Sequence, residues 1–146
     1  MTRERILTTR PDGSVVITCP AEPGILYLMH GATGPWHPWF GQPIWFGTVQ
    51  FSRMVMDGIR PEIAYRYAHA MVNGGLTREQ AIATIAARDC EQFGTAIEIV
   101  DVSEVPTDWT YRNAWRRSHN GGPIWVCEDA MREIEEQRMW TEHERA

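Results

Sequence analysis

The chain has 146 residues, of which 43% are hydrophobic and 23% are charged, a composition that is ordinary for one globular domain. Its net charge of −5 argues against general nucleic-acid binding, which depends on neutralising phosphates. No apolar run reaches the roughly 18 residues of a membrane helix, and the N-terminus lacks the apolar core of a secretion signal, so we expect a cytoplasmic protein without a membrane partner.

The three cysteines predict neither a disulfide framework nor a zinc site. Cys19, Cys90 and Cys127 are odd in number, widely spaced and without a Cys-x-x-Cys pair. We therefore expect reduced, mostly buried thiols.

The first predicted element is a β-hairpin. Two β-rich runs, at residues 6–9 and 14–19, flank the sequence Arg-Pro-Asp-Gly. The proline presets the first turn position and the glycine supplies a positive φ. Alternation along the second strand places Val15 and Ile17 on one face.

Residues 20–58 form an insert that is rich in both structure breakers and aromatic rings. Prolines and glycines interrupt it throughout, which predicts an irregular segment. Within it, residues 44–51 fit a strand, and residues 25–29 fit either a strand or a helical turn. Large aromatic rings bury roughly 150–250 Å² of surface each, so a segment with this many rings is too apolar to be a polar, disordered linker. The crowded rings are Trp36, Trp39, Phe40, Trp45 and Phe46.

Two helices are predicted after the insert. A proline opens the first, at a position where its missing N–H does no harm, and Gly74 ends it. Thr77 and Gln80 have the spacing of a capping box for the second, which runs to about Asp89. The apolar stripe of the first helix consists of Ile63, Tyr67, Ala70 and Met71.

A strand and a short aromatic helix are predicted next. Residues 97–102 carry apolar side chains on both faces, as expected of an inner strand, and Pro106 ends that strand. Asp108, or alternatively Thr107, is expected to cap the helix. Tyr111 and Trp115 lie four residues apart, so both should pack from one helix face towards the sheet.

The last predicted elements are a loop at residues 119–122, a brief strand at 123–127 and a final helix. Met131 and Ile134 should face inward from this helix. Residues 141–146 are expected to fray.

Together these elements predict a single α+β domain over residues 1–146. We expect a small, mostly antiparallel sheet that contains an N-terminal hairpin, with helices packed on it. The irregular Trp-rich insert spans about 20–58, and an acidic C-terminal helix spans about 128–140.

A resemblance to a known family rests on residues 106–115, which read Pro-Thr-Asp-Trp-Thr-Tyr-Arg-Asn-Ala-Trp. They resemble a Pro-x-Asp-Arg-Thr-Phe-Arg-Asn-Ala-Trp pattern of small proteins from tailed phages and prophages. With the hairpin and similar segments on both sides, the resemblance covers roughly two thirds of the chain. It implies a phage origin but no activity, because these proteins are mostly of unknown function, often encoded near tail genes. The residues that it marks as a structural motif are Asp108, Tyr111, Arg112 and Trp115.

The chain departs from the family pattern in two ways. Trp109 stands where the family has arginine, and Tyr111 replaces phenylalanine. Residues 20–73 are also unlike the shorter members, which pass almost directly from the hairpin to the helix.

The sequence offers no strong catalytic or metal-binding set. None of the five histidines pairs with another at i+3 or i+4, and no His-Glu-x-x-His, Gly-x-Ser-x-Gly or phosphate-loop motif occurs. Cys19, His30 and His37 could meet around a metal, but local hydrogen bonding is the simpler interpretation of loop histidines. Cys90 and His69 could form a thiol nucleophile, although acidic neighbours on both sides of the cysteine disfavour the thiolate. We expect a non-enzymatic protein without a metal or cofactor.

The Trp-rich insert is the first candidate for a binding surface. Its rings either form a private core beneath a long loop or face a partner, since exposed aromatic residues dominate interface energetics. Planar ligands could also stack on them.

The charged residues supply two further candidates. Residues 128–146 contribute −4 of the net charge. They form either a solvated helix face or an acidic surface that attracts a basic partner, one that normally binds nucleic acid. The resemblance to the phage family implies a cationic patch of Arg112, Arg116 and Arg117, which we expect to form salt bridges with this acidic helix. The acidic candidates for partner contact are Glu133, Glu135 and Glu136.

The leading functional hypothesis is a phage-encoded, non-enzymatic protein that inhibits a host defence complex by protein–protein interaction, in the manner of an anti-CRISPR protein. It would act in the cytoplasm of the bacterial host. A virion or tail-associated accessory protein is the alternative, and a ligand-sequestering protein or an enzyme is a further one. A surfaced aromatic insert would also favour a homodimer.

Overall fold

The computed structural model describes residues 2–145, and in them the chain is an α+β protein, as predicted. Within this range there are five helices, a three-stranded antiparallel sheet of order β2-β1-β3 and a two-stranded sheet, β4-β5. None of the helices within 2–145 combines the length and the apolar character needed to cross a membrane. In chain order the strands and helices are β1 Glu4–Thr9, β2 Val15–Thr18, α1 Glu22–His30, α2 Phe46–Met56, α3 Pro61–Asn73, α4 Arg78–Cys90, β3 Ala96–Asp101, β4 Trp115–Arg116, β5 Trp125–Val126 and α5 Glu128–Arg145.

The predicted hairpin is confirmed. Leu7 of β1 pairs with Ile17 of β2, and the turn between the strands contains Gly13 at a φ of 85°. The Gly13 N–H donates to the Arg10 carbonyl at 2.9 Å, which closes the turn.

The three-stranded sheet separates two hydrophobic cores. On one side Ile6 packs among residues of α1, α3 and α4, including Ile25, Met71 and Ile82. On the other side Leu7 packs in a smaller core, and Val15 and Ile17 both contact it, as the alternation predicted. The other buried members of this smaller core are Val100, Val105 and Trp115.

The strand predicted at 97–102 is present as β3, but the prediction that it is an inner strand is wrong. β1 is the central strand of the sheet, and β3 lies at an edge. Apolar side chains on both strand faces do not require two neighbouring strands. β3 has this pattern because Ile97 and Ile99 contact the larger core while Val100 belongs to the smaller one. The pattern therefore reports burial of both sheet faces.

Helices α3 and α4 begin and end as the sequence predicts. Pro61 occupies the first turn of α3, and Gly74 follows its last residue. At the start of α4, the Gln80 N–H donates to Thr77 Oγ1 at 3.1 Å and the Thr77 N–H donates to Gln80 Oε1 at 3.0 Å. This reciprocal pair is the predicted capping box.

The insert is more regular than its composition suggests. The strand predicted at 44–51 is wrong, because α2 begins at Phe46 and packs along α3. Residues 25–29 lie within α1, which tolerates its proline because Pro23 stands in the first turn. Two helices thus flank an irregular stretch at 31–45, which carries most of the aromatic rings.

The ends of α1 and α3 cross at two glycines in close contact. The Ala32 N–H donates to the Val72 carbonyl at 3.1 Å, and the Gly75 N–H donates to the Met29 carbonyl at 3.0 Å. A Cβ on Gly31 would lie 2.6 Å from the Asn73 carbonyl carbon, and the φ of Gly31 is 73°. Space and backbone conformation both require glycine at this crossing.

The short helix predicted after Pro106 does not form. Asp108 Oδ1 accepts a hydrogen bond from the Thr110 N–H at 3.0 Å, so it closes a local turn instead of capping a helix. A single 3₁₀ turn follows, and β4 then begins at Trp115. Trp115 is buried against the sheet as predicted, but the Tyr111 hydroxyl points to α5 and donates to Glu135 at 2.8 Å.

The C-terminal helix is confirmed, and it is longer than predicted. α5 continues to Arg145, through residues that were expected to fray; Ala146 lies outside the described residues. Met131 and Ile134 are half-buried, whereas Met139 and Trp140 are exposed. The predicted loop at 119–122 and the brief strand, β5, are both present.

We predict that Gly31→Ala destabilises the protein more than Gly41→Ala does. Gly41 also has a positive φ, 77°, but nothing lies within 4 Å of a Cβ added there. Gly41→Ala should therefore cost only the conformational penalty, about 1–3 kcal/mol. Gly31→Ala should add an overpacking cost of about 1–3 kcal/mol. Chemical denaturation measures both variants, and equal losses of unfolding free energy would contradict the close crossing.

Candidate functional site

The irregular part of the insert is a series of tight turns. It leaves α1 at the Gly31–Gly74 crossing and reaches α2 through a chain of backbone hydrogen bonds. The His37 N–H donates to Gly34 at 3.0 Å, the Phe40 N–H donates to His37 at 3.0 Å, and the Phe46 N–H donates to Pro43 at 2.9 Å. These bonds fix the backbone from which the aromatic rings project.

The inner half of the insert is an aromatic cage around His37. This side chain is only 3% exposed. Its ring centroid lies 5.0 Å from that of Tyr27, 5.6 Å from that of Trp36 and 6.5 Å from that of Trp39. Trp39 in turn meets Phe46 edge to face at 5.3 Å. Both rings are half-buried, and Trp39 also packs against the larger core.

The surroundings of His37 keep its imidazole neutral. Nδ1 accepts a hydrogen bond from the Trp39 N–H at 2.9 Å, which places the proton on Nε2. Nε2 is buried and has no hydrogen-bond partner among the described residues. Burial lowers the pKa of His37, and the nearby Tyr27 backbone offsets this only in part. The histidine is thus a structural member of the cage.

The outer half of the insert faces solvent. Trp45 is 63% exposed, Trp36 and Phe40 are about half exposed, and Ile44 is fully exposed. We call these four side chains the insert face. The Trp-rich segment is therefore divided: Trp39 and Phe46 pack within the protein, whereas Trp36, Phe40 and Trp45 have the exposure that the binding-surface alternative requires.

A groove between α2 and α3 adjoins the insert face at Ile44. Its volume is about 380 Å³. Phe51 contributes from α2, and Tyr65, which is 62% exposed, contributes from α3. These two rings meet edge to face, with their centroids 6.5 Å apart. The full lining is Ile44, Gly47, Thr48, Phe51, Tyr65, Ala68, His69, Val72 and Asn73.

Sequence reasoning missed Ile44, Tyr65 and Val72 as surface candidates. The strand predicted at 44–51 assigned Ile44 to a sheet. Tyr65 and Val72 lie off the apolar stripe of α3, and an aromatic ring on the polar side of an amphipathic helix is the signal that could have identified the groove.

Helix α5 carries the acidic candidates on an exposed surface. Glu133 and Glu136 are exposed and, among the residues described, make no ion pair, whereas Glu135 accepts the Tyr111 hydrogen bond. Met139 and Trp140 lie near Glu136 and border a depression of about 390 Å³. The helix therefore combines negative charge with exposed apolar side chains.

The arginines after Trp109 do not form the expected salt bridges with α5. Arg117 is buried and pairs with Glu98 of β3, while it also donates to the Gly122 carbonyl at 2.8 Å. Arg116 donates to the backbone carbonyls of Asn113 and Trp115. Arg116 and Arg117 are held by the sheet and the loops next to it, so neither one neutralises Glu133 or Glu136 of α5.

The metal and thiol alternatives find no support in the geometry. Across residues 2–145, no group of three or more His, Cys, Asp and Glu side chains is arranged to hold a metal ion, so Cys19, His30 and His37 do not meet in one. Cys90 is buried with its Sγ 3.5 Å from the Thr18 hydroxyl, whereas His69 is an exposed residue of the α2–α3 groove. Of the three cysteines only Cys90 is fully buried; Cys127 is half-buried and Cys19 is exposed.

Comparison with known proteins adds no relative. No protein-family model, no curated protein and no solved structure matches the chain. The interpretation of the site therefore rests on its own geometry.

We predict that acidification destabilises the protein through His37. Because the folded-state pKa of His37 lies below its ordinary value of 6.5, the unfolded chain binds a proton first as the pH falls. The contribution of a neutral His37 is thus complete above about pH 7, and it is lost as the pH falls from 6.5 towards the folded-state pKa. In His37→Asn the new amide oxygen can replace Nδ1 as an acceptor, and this part of the pH dependence should disappear.

The matched control is His143→Gln, which alters an exposed histidine on α5. It should retain the pH profile of the unaltered protein when unfolding free energies are measured between about pH 5 and pH 8. An unchanged profile in His37→Asn would contradict the buried, neutral state of the histidine.

Proposed function

We propose that the protein is a phage-encoded, non-enzymatic binding protein that inhibits a host defence complex by protein–protein contact. The observation that supports this most is the insert face together with the α2–α3 groove. Four bulky apolar side chains of the insert stand exposed, and one of them, Ile44, also lines a groove of about 380 Å³ with aromatic walls. Exposed apolar surfaces of this kind on soluble proteins are typical of interaction sites.

The construction of the insert favours binding over a purely structural role. The caged histidine and the hydrogen-bonded turns hold the backbone, so Trp45 and Trp36 are presented from a fixed support. A preorganised aromatic surface loses little conformational entropy when a partner binds. Tryptophan and tyrosine are also the residues that most often dominate interface energies.

The acidic surface of helix α5 favours a partner that is positively charged. Glu133 and Glu136 form no ion pairs within the described chain, and Glu136 borders the same depression as the exposed Trp140. A protein that grips nucleic acid presents a cationic groove, which a negatively charged helix can occupy in competition with the phosphates. The phage origin rests on the resemblance at 106–115, and the bacterial cytoplasm follows from it as the site of action.

We predict that truncating the insert face abolishes inhibition without unfolding the protein. Ile44→Ala combined with Trp45→Ala removes two exposed side chains, so the melting temperature should change little. Loss of a central interface tryptophan typically costs at least about 2 kcal/mol, or roughly 30-fold in affinity. The assay is DNA cleavage by a purified CRISPR effector complex, together with phage plating on a host that carries the same complex.

The matched control is Met56→Ala, which removes an exposed apolar side chain at the end of α2, away from the groove lining. It should inhibit as well as the unaltered protein. Failure of the unaltered protein to inhibit any of a panel of defence complexes would contradict the proposal. Its detection by mass spectrometry in purified virions would favour the tail-associated alternative.

A further inference from the structure

The structure contains a second feature, remote from the insert, that the proposed function does not use. A notch of about 270 Å³ lies where the hairpin meets the segment around residue 109. This volume is close to the lower bound of about 300 Å³ for small-molecule sites, so it suits a ligand no larger than one nucleotide. The lining residues are Arg10, Val15, Val16, Ile17, Trp109, Arg112, Asn113 and Trp115.

The notch follows the free edge of the sheet. It touches Val15, Val16 and Ile17, and since consecutive strand residues point to opposite faces, a cavity that reaches all three must run along the strand edge. β2 is an edge strand that pairs with β1, and an isolated bridge between Ser14 and Arg116 covers the turn end of its outer edge. The notch lies along the remainder of that edge, at residues 15–17.

One wall of the notch is aromatic and held in place. The Trp109 ring is about half exposed, and it meets the buried Trp115 edge to face, with centroids 5.5 Å apart. Trp115 belongs to the core beneath the sheet, so it supports the outer ring. A half-exposed indole with a rigid support is a platform on which a planar ring can stack.

The notch also has two cationic lining residues. Arg10 and Arg112 both line it, and neither makes an ion pair among the described residues. The Arg112 guanidinium carbon lies 5.8 Å from the Trp109 ring centroid, which places charge and ring side by side. Arg10 is steadied by Ser14 Oγ at 3.3 Å and by the Phe93 ring at 6.0 Å.

The nearest turns already use their carboxylates. Asp12 accepts hydrogen bonds from the Ser14 N–H at 2.9 Å and the Ser14 hydroxyl at 2.6 Å, and Asp108 accepts from Thr110. Both acids are therefore engaged within their own turns, although Asp12 still offsets part of the charge of Arg10 and Arg116. The guanidinium groups that line the notch keep donors for an external anion.

From this juxtaposition we infer that the notch is a binding site for a small planar anion of the nucleoside monophosphate class. The ring of the ligand stacks on Trp109, and its phosphate accepts hydrogen bonds from Arg10 and Arg112. Asn113 also lines the notch, and its side-chain amide is the group that we assign to the polar edge of the base. The net charge of −5 disfavours a long polyanion, so a free nucleotide fits better than a nucleic-acid strand.

Isothermal titration of the full chain with AMP tests the inference, and adenosine and inorganic phosphate serve as separate probes. AMP should bind and should quench tryptophan fluorescence, while adenosine and phosphate should each bind at least about tenfold more weakly, because each makes only half of the contacts. The affinity for AMP should fall as the salt concentration rises.

Variants of the two walls should each weaken AMP binding by about tenfold or more. Arg112→Gln removes a charge-assisted donor, and Trp109→Phe keeps a ring while reducing the stacking area, so Trp109→Ala should lose more affinity than Trp109→Phe. Arg66→Gln, an exposed arginine of α3, is the matched control and should bind AMP normally. Circular dichroism confirms that each variant is folded.

Absence of AMP binding at millimolar concentration would overturn the inference. So would phosphate binding as tightly as AMP, since the aromatic wall would then play no part. Equal AMP affinity in Arg112→Gln and Arg66→Gln would also overturn it, because the binding site would lie elsewhere. None of these results bears on inhibition through the insert face.

Discussion

The contact of α1 with α3 at Gly31 and Gly74 is the constraint on which the insert depends. The two backbones approach so closely that neither position has room for a side chain. This crossing holds the end of α1 against α3, and the chain must leave it outward, away from the core. Residues 32–45 then fold back on themselves in short turns, and α2 returns along α3. An insert attached at a rigid crossing becomes part of the domain, so its exposed rings are presented in a defined geometry.

The same arrangement explains why the aromatic residues divide into two groups. His37, Trp39 and Phe46 turn inward, where they cover α1 and the start of α2. Trp36, Phe40 and Trp45 remain largely accessible, and Trp36 also stacks on Tyr27 with centroids 5.8 Å apart. The inner rings stabilise the loop, and the outer rings gain a fixed position from that stability. The proposed binding by the outer rings therefore depends on the packing of the inner rings of the same cluster.

Much of the fold could be predicted from local signals, because some boundaries are encoded in neighbouring residues. The hairpin turn and the Thr77–Gln80 capping box are of this kind. Most errors arose where distant contacts decide the outcome. Residues 44–51 look like a strand by their side chains, but the chain is helical from Phe46, where α2 packs against α3. The groove was missed for the same reason, since it exists only once α2 and α3 are adjacent. The helix expected after Pro106 is absent for one distant reason, the pairing of Trp115 with Val126, and for one local reason, the turn that Asp108 closes with Thr110.

The division of the insert can be tested most directly by hydroxyl-radical footprinting of the isolated protein, with each tryptophan quantified by mass spectrometry. Oxidation should be rapid at Trp45, slower at Trp36 and slower again at the half-buried Trp39, with the buried Trp115 as an internal standard for protection. Protection of Trp45 equal to that of Trp115 would contradict the account, because the insert face would then be covered and could not meet a partner. Rapid oxidation of Trp39 would contradict it in the other direction, because the cage around His37 would not exist.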